Sequence, residues 1–399
     1  MGGNESELHT IPDWRTCAFC SLIALMSDGD PIPEWWCTVA LATLHNIGGL
    51  AMNAKVNTPY VPREVEIEIS GECPLDCTYC RQHQASEGSA MSFQELCAIL
   101  ETLHGLGTEL VCITGGEPLT NPRAVDLVKK SVGLGLQTAL YTSGVAMSSA
   151  LVAELQSIGL AMAFVTLLGP TPEVHNRITR RNSYKRTLQT IRNLVESDIR
   201  VTIHLPLLLA NYRHVEAAID LCLMLNVDQI HLIRYFPHDL LAGNEEVHEH
   251  LLTPLQLREV VDRTIAKIQD CQGQVTFIPG STIPFALVDH SSITPSPCTA
   301  GTSRLYITYS GYVIPCPGFR ESDLLTDDNN LRSRTLEDIW HNSRVMNMLR
   351  ARSLDTLKGK CTMCDARASC QGGCPAQSYI YYRDISRPDP LCWRVPSSR

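Results

Sequence analysis

Hydrophobic and polar positions follow two different periods between residues 64 and 235. Short runs that alternate every two residues, or stay apolar, are typical of strands, and they cover Glu64–Ser70, Glu109–Thr114, Gln137–Thr142, Ala161–Leu167, Arg200–Leu208 and Gln229–Tyr235. The segments between them are helical in pattern and cover Phe93–Leu106, Pro122–Leu134, Ser148–Ser157, Tyr184–Glu196 and His214–Leu225. Such repeated units predict an α/β fold with a parallel sheet, either a partial barrel or a doubly wound sheet.

The regions on either side of this alternation have a different character. Residues 1–63 contain two apolar segments separated by a Pro- and Gly-containing run at 27–33, which predicts a small helical N-terminal extension. After the sixth strand, a predicted helix at Leu255–Ile268 and a short strand at Gln274–Ile278 lead toward a cysteine-rich C-terminal region. The predicted domains are therefore 1–63, 64–290 and 291–399.

Composition and charge exclude several classes of function. The 399 residues are 44% hydrophobic and 19% charged, as in an ordinary globular protein. A net charge of −9 without a basic stripe argues against general nucleic-acid binding and against anionic membrane surfaces. The acidic N-terminus does not resemble a secretory signal, and the longest apolar run, Trp36–Met52, is too short to span a membrane. We therefore expect a cytoplasmic protein, in which seventeen cysteines favour metal ligation over disulfides.

Three of these cysteines lie directly after the first strand, in the spacing Cys73-x₃-Cys77-x₂-Cys80. Thiolates are soft ligands that suit iron–sulfur clusters. A cubane cluster has four irons, so three thiolates leave one iron free for another ligand. The alternatives are a zinc site completed elsewhere in the chain and three unrelated core cysteines.

This loop, with Tyr79 before its last cysteine, resembles the cluster loop of the radical S-adenosylmethionine (SAM) enzymes. The second strand runs into Gly115-Gly116-Glu117-Pro118, which resembles the second motif of that family. The resemblance implies a partial (β/α)₆ barrel and a 4Fe–4S cluster whose open iron binds SAM. It also implies an electron donor such as flavodoxin or ferredoxin, because reduction cleaves SAM to methionine and a 5′-deoxyadenosyl radical that abstracts a substrate hydrogen.

The same resemblance implies a set of SAM contacts. These residues are Tyr79, Gly115, Gly116, Glu117, Thr142, Ser143, Thr166, Arg177 and Arg181. The Gly-Gly-Glu turn would meet the methionyl amino group, the hydroxyl groups would approach the methionine or ribose, and an arginine would bind the ribose or carboxylate. Leu168 replaces an acid that relatives carry, and Arg180 competes with the other two arginines.

The C-terminal cysteines match, position by position, the pattern of the SPASM domain, an auxiliary-cluster module of a radical SAM subfamily. By resemblance they bind two auxiliary iron–sulfur clusters, the distal one through Cys361, Cys364, Cys370 and Cys392, and the proximal one through Cys298, Cys316 and Cys374. The proximal site lacks a fourth cysteine, which implies an open iron, another ligand or a smaller cluster. A pair of zinc ribbons is the alternative. Between these cysteines, Arg304–Tyr309 and Tyr312–Pro315 predict a hairpin that turns at Ser310-Gly311.

The resemblance ranks three classes of reaction. Modification of a ribosomally made peptide, by crosslinking, epimerisation or a related reaction, ranks first, with a separate leader-peptide-binding protein as a further partner. Dehydrogenation or epimerisation of a small molecule, as in aminoglycoside biosynthesis, ranks second. Sulfatase maturation ranks last, because Gly280 and Ser281 stand where those enzymes place an aspartate base.

The remaining cysteines allow two interpretations. An epimerase needs a thiol that returns a hydrogen to the substrate radical, and the candidates for this hydrogen donor are Cys112, Cys222 and Cys97. Each of them also fits a buried core position. In the N-terminal extension, a further metal site and ordinary core positions are the two interpretations of Cys17, Cys20 and Cys37.

Overall fold

Nine strands form one sheet in the part of the chain that the structure describes. This computed structural model describes residues 60–80, 88–243, 245–271, 273–278, 283 and 297–394. The strands are β1 (Glu64–Glu68), β2 (Leu110–Thr114), β3 (Gln137–Thr142), β4 (Met162–Thr166), β5 (Arg200–Leu207), β6 (Gln229–Arg234), β7 (Thr276–Ile278), β8 (Arg304–Ile307) and β9 (Val313–Ile314). Residues 1–59 of the predicted N-terminal extension, with its three cysteines, and the positions Gly280 and Ser281 lie outside the described residues.

Helices connect the strands in the predicted order. Those of the described residues are α1 (Phe93–Gly105), α2 (Ala124–Gly133), α3 (Ser149–Ile158), α4 (Pro172–Thr179), α5 (Tyr184–Val195), α6 (Val215–Met224), α7 (Pro254–Cys271), α8 (Leu336–Asn342), α9 (Arg344–Arg350), α10 (Arg367–Cys370) and α11 (Pro375–Tyr382). The six predicted strands and the five helices between them are confirmed, with ends that differ by at most two residues. The predicted helix at Leu255–Ile268 is longer, as α7, and the strand at Gln274–Ile278 is shorter, as β7.

Local caps account for several of these helix ends. The Ser92 hydroxyl accepts from the Glu95 amide while the Glu95 carboxylate accepts from the Ser92 amide, which closes a capping box at the start of α1. At the start of α3 the Ser148 hydroxyl accepts from the Leu151 amide at 3.2 Å, and Gly159 ends that helix with a φ of 96°. Glycine adopts this left-handed conformation without the strain that a side chain would bring.

The order of the strands distinguishes the two predicted architectures. The sheet runs β7-β6-β5-β4-β3-β2-β1-β8-β9, and its neighbouring strands are parallel except for the pair β8 and β9. A doubly wound sheet reverses its order at a switch point. From β1 to β6 the order never reverses, so the partial-barrel arrangement is confirmed. The carboxyl ends of these six strands lie along one edge, where barrel enzymes place their sites.

Alternate residues of the barrel strands face two different environments. One set is apolar and packs with the helices in the main hydrophobic core. The other set is aromatic or polar. The ring of Tyr141 stacks on Phe164 with centroids 4.4 Å apart, and Phe164 contacts His204, which in turn contacts His231. Burial keeps these histidines neutral, since it lowers the pKa of His231 to about 3 and that of His204 well below its usual value.

The C-terminal region continues the barrel sheet. Strand β8 pairs in parallel with β1, with Arg304 opposite Glu64, and the Arg304 guanidinium lies 2.8 Å from carboxylate oxygens of both Glu64 and Glu66. The predicted hairpin is confirmed as β8 and β9, and Gly311 in its turn has a φ of 90°. The predicted boundary between residues 290 and 291 therefore separates two regions that share one sheet.

Candidate active site

The loop from Cys73 to Cys80 is fixed from two sides by backbone hydrogen bonds. On one side, the amides of Asp76 and Thr78 donate to carbonyl groups of Thr179 and Ile178 at the end of α4, at 3.2 and 2.9 Å. On the other side, two amides of the turn after β2 donate to the chain that enters the loop, at 2.8 and 2.7 Å. The loop conformation is therefore set by main-chain groups of two barrel connections.

The three thiols of this loop are half-buried and close enough to influence one another. The pKa of Cys73 is raised to about 11, mainly by burial and to a smaller extent by the negative charges of Glu117 and Cys80. The pKa of Cys77 is also raised, first by burial and then by the charges of Cys80 and Cys73. Three thiolates held together in this way need a positive centre among them, so the donor set fits an iron–sulfur cluster.

No group of three or more His, Cys, Asp or Glu side chains within the described residues converges on the position of a single metal ion. A cluster does not require such convergence, because each thiolate binds a different iron.

The Gly-Gly turn after β2 packs directly against the entry to the cysteine loop. A Cβ atom on Gly115 would lie 2.4 Å from the Ser70 carbonyl oxygen, and one on Gly116 would lie 2.3 Å from the Glu72 carbonyl oxygen. Gly115 also has a φ of 151°, which disfavours any side chain. Only glycine at both positions allows the turn and the loop to make their hydrogen bonds.

The Glu117 carboxylate contacts the end of β3. It is completely buried and accepts hydrogen bonds from the Thr142 hydroxyl and the Ser143 amide, both at 2.8 Å, and from the Ser143 hydroxyl. Burial raises the pKa of Glu117, and these donors oppose that shift. The carboxylate and both hydroxyl groups are thus engaged with one another, and they join the turn after β2 to the end of β3.

The other predicted SAM contacts occupy separate positions around the loop. Thr166 ends β4 and is half-buried. Arg177, on α4, is exposed and donates to the Ala210 carbonyl at 3.0 Å, whereas the exposed Arg181 donates to the Arg180 carbonyl at 3.1 Å. Both arginines flank the end of α4 that contacts the cysteine loop.

Sequence reasoning missed an aromatic contact at the end of β6. The ring of Tyr235 meets the edge of Tyr79, with centroids 6.3 Å apart, and the Tyr235 carbonyl accepts from the Gln377 side chain at 2.7 Å. Tyr235 therefore lies between the cysteine loop and the C-terminal region. Its position as the last residue of a predicted barrel strand was the available signal.

The C-terminal cysteines gather into two groups. One small cavity is lined by Cys361, Cys364, Cys370 and Cys392 together with Asp389 and basic side chains. Cys298, Cys316 and Cys374 form the second group, in which the charges of Cys298 and Cys374 raise the pKa of Cys316 beyond the effect of burial. These are the two sets that the family resemblance assigns to the distal and proximal clusters. Both donor sets consist of soft thiolates and fit iron–sulfur clusters.

The candidate hydrogen donors lie in three different places. Cys112 is completely buried in β2, in register with Glu66 of β1 and Ala139 of β3. Cys222 is buried in the main core on α6, and Cys97 is half-buried on α1. The three thiols are therefore not brought together, and a donor role for any of them stays a prediction.

Comparison with known proteins identifies the two regions. Residues 67–222 match the radical SAM superfamily, and residues 298–365 match the SPASM domain, described as an iron–sulfur cluster-binding domain. The chain is a radical SAM enzyme with a SPASM domain. It accordingly uses SAM and iron–sulfur clusters. The first of these matches contains the cysteine loop and the Gly-Gly turn, and the second contains four of the seven C-terminal cysteines.

Several known proteins are similar to this radical SAM enzyme over most of its length. A PqqA peptide cyclase of Rhizobium meliloti is 28% identical over 84% of this chain and 88% of its own. An AdoMet-dependent heme synthase of Methanosarcina barkeri is 24% identical over 85% of this chain and 98% of its own. Crystal structures of Streptococcus suis SuiB, bound to SAM or to precursor peptide SuiA, cover 94% of this chain and 87% of their own at 18% identity, with a TM-score of 0.68. This last similarity confirms the fold.

Within the described residues, no helix combines the length and the apolar character needed to cross a membrane.

Proposed function

We propose that this radical SAM enzyme modifies a ribosomally made peptide. The observation that carries the proposal is the similarity to PqqA peptide cyclases, which extends through both the radical SAM and SPASM regions and covers 84% of the chain. The fold shared with SuiB, which has been solved with a precursor peptide, is compatible with it. The heme synthase relative has a similar coverage at lower identity, so a small-molecule substrate remains the second candidate.

In this proposal the cysteine loop holds the cluster that binds SAM. Cys73, Cys77 and Cys80 each ligate one iron, and the bound cluster with SAM supplies a radical that abstracts a substrate hydrogen. The backbone of the turn at Gly115 and Gly116 lies against the loop and faces the methionyl end of SAM. Glu117 acts as a positioning residue, because its carboxylate is engaged with Thr142 and Ser143.

The same proposal assigns the C-terminal region to two auxiliary clusters. Thiolates that line the small cavity ligate the distal cluster, and the second group ligates the proximal one with three cysteines. The sequence between Cys298 and Cys316 holds no further cysteine, so the proximal site would have an open iron, a non-cysteine ligand or a smaller cluster. The proposal divides the chain into three domains, 1–63, 64–290 and 291–399. It also includes two partners, an electron donor such as flavodoxin or ferredoxin and a separate leader-peptide-binding protein.

Product analysis tests the peptide proposal. The anaerobically reconstituted protein is incubated with SAM, dithionite and the short peptides encoded beside its gene. We expect 5′-deoxyadenosine together with a peptide whose mass has changed by loss of hydrogen or of a fragment, or whose residue has changed stereochemistry without a mass change. A matched reaction with a porphyrin or an amino sugar tests the small-molecule alternative. Turnover of such a compound, with every neighbouring peptide unchanged in mass and stereochemistry, would refute the peptide proposal and leave the SAM assignment intact.

A further inference from the structure

The two C-terminal cysteine groups are joined by a short chain segment with an unusual conformation. Cys370 lines the small cavity, Cys374 belongs to the second group, and the three residues between them all have positive φ: 53° at Gln371, 83° at Gly372 and 78° at Gly373. Gln371 carries a side chain in this left-handed conformation, which costs free energy, whereas the two glycines adopt it without strain. We call residues 370–374 the bridge.

One end of the bridge is held by a buried ion pair. Arg234, at the end of β6, binds Asp389 through two hydrogen bonds of 3.0 and 2.7 Å, and both side chains are only 2% exposed. Asp389 also accepts the Cys374 amide at 3.0 Å and packs against Gly373. Arg234 and Asp389 neutralise each other, so this pair orients Cys374 while adding no net charge.

The other end of the bridge is held by an arginine without such a partner. The Arg352 guanidinium donates to the carbonyl groups of Ile385, at 3.0 Å, and Gln371. A Cβ atom on Gly372 would lie 2.7 Å from Arg352 Nη2, so the guanidinium rests directly on the bridge backbone. Among the described residues no carboxylate pairs with it. No carboxylate of the described residues therefore neutralises its positive charge.

The positive charge of Arg352 interacts with cysteines of both groups. Burial lowers the pKa of Arg352, and the shift is opposed by the charges of Cys298 and Cys374 in one group and of Cys361 and Cys370 in the other. Reduction of an iron–sulfur cluster adds a negative charge. A nearby buried positive charge stabilises the reduced form and raises the reduction potential.

We propose that Arg352 raises the reduction potentials of the auxiliary clusters, while Arg234 and Asp389 fix the geometry of the bridge between them. This inference rests on the proposed auxiliary clusters. Arg352 is a positioning and tuning residue that acts on the thiolate groups through its charge. Arg234, at the other end of the bridge, has no such effect on the potentials, because Asp389 neutralises its charge.

The chain offers a matched control two residues away. Arg350 also donates only to carbonyl groups, those of Gly301 and His341, and burial lowers its pKa in the same way. Its guanidinium lies over the rings of Tyr60 and Trp340 instead of the bridge. Arg350→Met therefore removes a partly buried guanidinium of the same segment without removing a charge from the cysteine groups.

The test is a redox titration monitored by electron paramagnetic resonance. Full-length protein with Cys73, Cys77 and Cys80 changed to Ala is used, so that only auxiliary clusters contribute, and iron is counted in each sample. We expect Arg352→Met to move at least one midpoint potential to a more negative value at unchanged iron content. Arg350→Met should have the same midpoint potentials as the parent. Arg352→Lys should have potentials close to those of the parent, because lysine keeps the positive charge.

The other outcomes of this titration also decide the proposal. Parent potentials in Arg352→Met at full iron content would show that the charge has no effect. If Arg352→Met loses iron, Arg352→Lys decides: a parent potential at full iron content supports the role of the charge. A shift or an iron loss in the Lys variant would instead assign Arg352 to hydrogen bonding alone. Parent protein without auxiliary iron would defeat the cluster assignment itself, and it says nothing against peptide modification by the SAM site.

Discussion

The two cysteine-rich regions hold their thiols in different ways. The loop from Cys73 to Cys80 is contiguous and is fixed by main-chain hydrogen bonds from α4 and from the turn after β2. The C-terminal cysteines are spread over 298–392, and the Cys374 amide among them donates to Asp389, which forms a buried ion pair with Arg234. Main-chain bonds survive most side-chain substitutions, whereas a buried ion pair is lost with either partner. The first region should therefore be the more tolerant of changes around its thiols.

The largest effects are expected when the thiols of each region are removed in turn, which distinguishes the contributions of the two regions. Changing Cys73, Cys77 and Cys80 to Ala should abolish 5′-deoxyadenosine formation and remove about four irons per chain, while auxiliary iron stays. Changing Cys361 and Cys364 to Ala should remove auxiliary iron and leave SAM cleavage without substrate near the parent rate. Iron analysis and chromatography of the nucleoside measure both. If the second variant also loses SAM cleavage, the two sites are not independent in the way that their architecture indicates.

The next effect tests the dependence on buried ion pairs. Arg234→Met leaves Asp389 as an unpaired buried carboxylate and should lower the free energy of unfolding by about 3–5 kcal/mol, with loss of auxiliary iron. Arg263→Met removes a half-exposed ion pair with Glu216 and should cost about 1 kcal/mol or less, with full iron content. Urea denaturation and iron analysis check both variants. Equal losses in the two variants would contradict a special role of the pair that holds Cys374.

Local patterns explain why so much of the first region could be predicted. The strand that precedes Cys73, the three-cysteine spacing and the glycines after β2 are all neighbours in the sequence, and each element has a clear period. The contacts between them follow from the sheet, because carboxyl ends of adjacent parallel strands meet at one edge. The direction of the Glu117 carboxylate was not predicted, because it is decided by hydrogen bonds to the end of β3.

The second region shows where sequence reasoning stops. The family resemblance grouped the seven cysteines, but Arg234 and Asp389 are 155 residues apart and neither lies in a recognisable pattern. The pairing of β8 with β1 likewise joins distant segments, so the hairpin was predicted without its place in the sheet. Helix α4 was missed because it is only eight residues long. Long-range polar contacts and short helices carry no periodic signal.

A smaller effect should follow from changing Glu117, which joins two barrel connections. Glu117→Ala leaves the Thr142 hydroxyl and the Ser143 amide without their acceptor, so we expect a loss of about 2–3 kcal/mol in unfolding free energy and weaker SAM binding. Glu117→Gln keeps an acceptor oxygen, so its losses of unfolding free energy and of SAM affinity should be smaller. Urea denaturation and equilibrium dialysis with SAM provide the measurements. A Gln variant as damaged as the Ala variant would show that the charge, and not the acceptor, matters.

The smallest predicted effect concerns His175, which is buried on α4, the helix whose end contacts the cysteine loop. Its Nδ1 accepts the Leu168 amide at 3.3 Å, so its Nε2 carries the proton and donates to the Ser183 hydroxyl at 3.1 Å. Burial lowers the pKa of His175 to about 4 from the unfolded value of 6.5. The unfolded chain therefore binds the proton first, and this stability is present above pH 6.5 and is lost as the pH falls toward 4.

The lowered pKa predicts a pH dependence that a non-titrating side chain should remove. Between pH 7.5 and 5.5, the parent protein should lose about 1.4 kcal/mol more unfolding free energy than His175→Gln, because unfolding binds on average about half a proton over these two pH units. Urea denaturation of both proteins at the two pH values measures the difference. Since the C-terminal cysteine groups do not contact His175, auxiliary iron content should be the same in both. Parallel pH curves for the two proteins would mean that His175 titrates alike in the folded and unfolded chain, and that its buried hydrogen bonds do not hold it neutral.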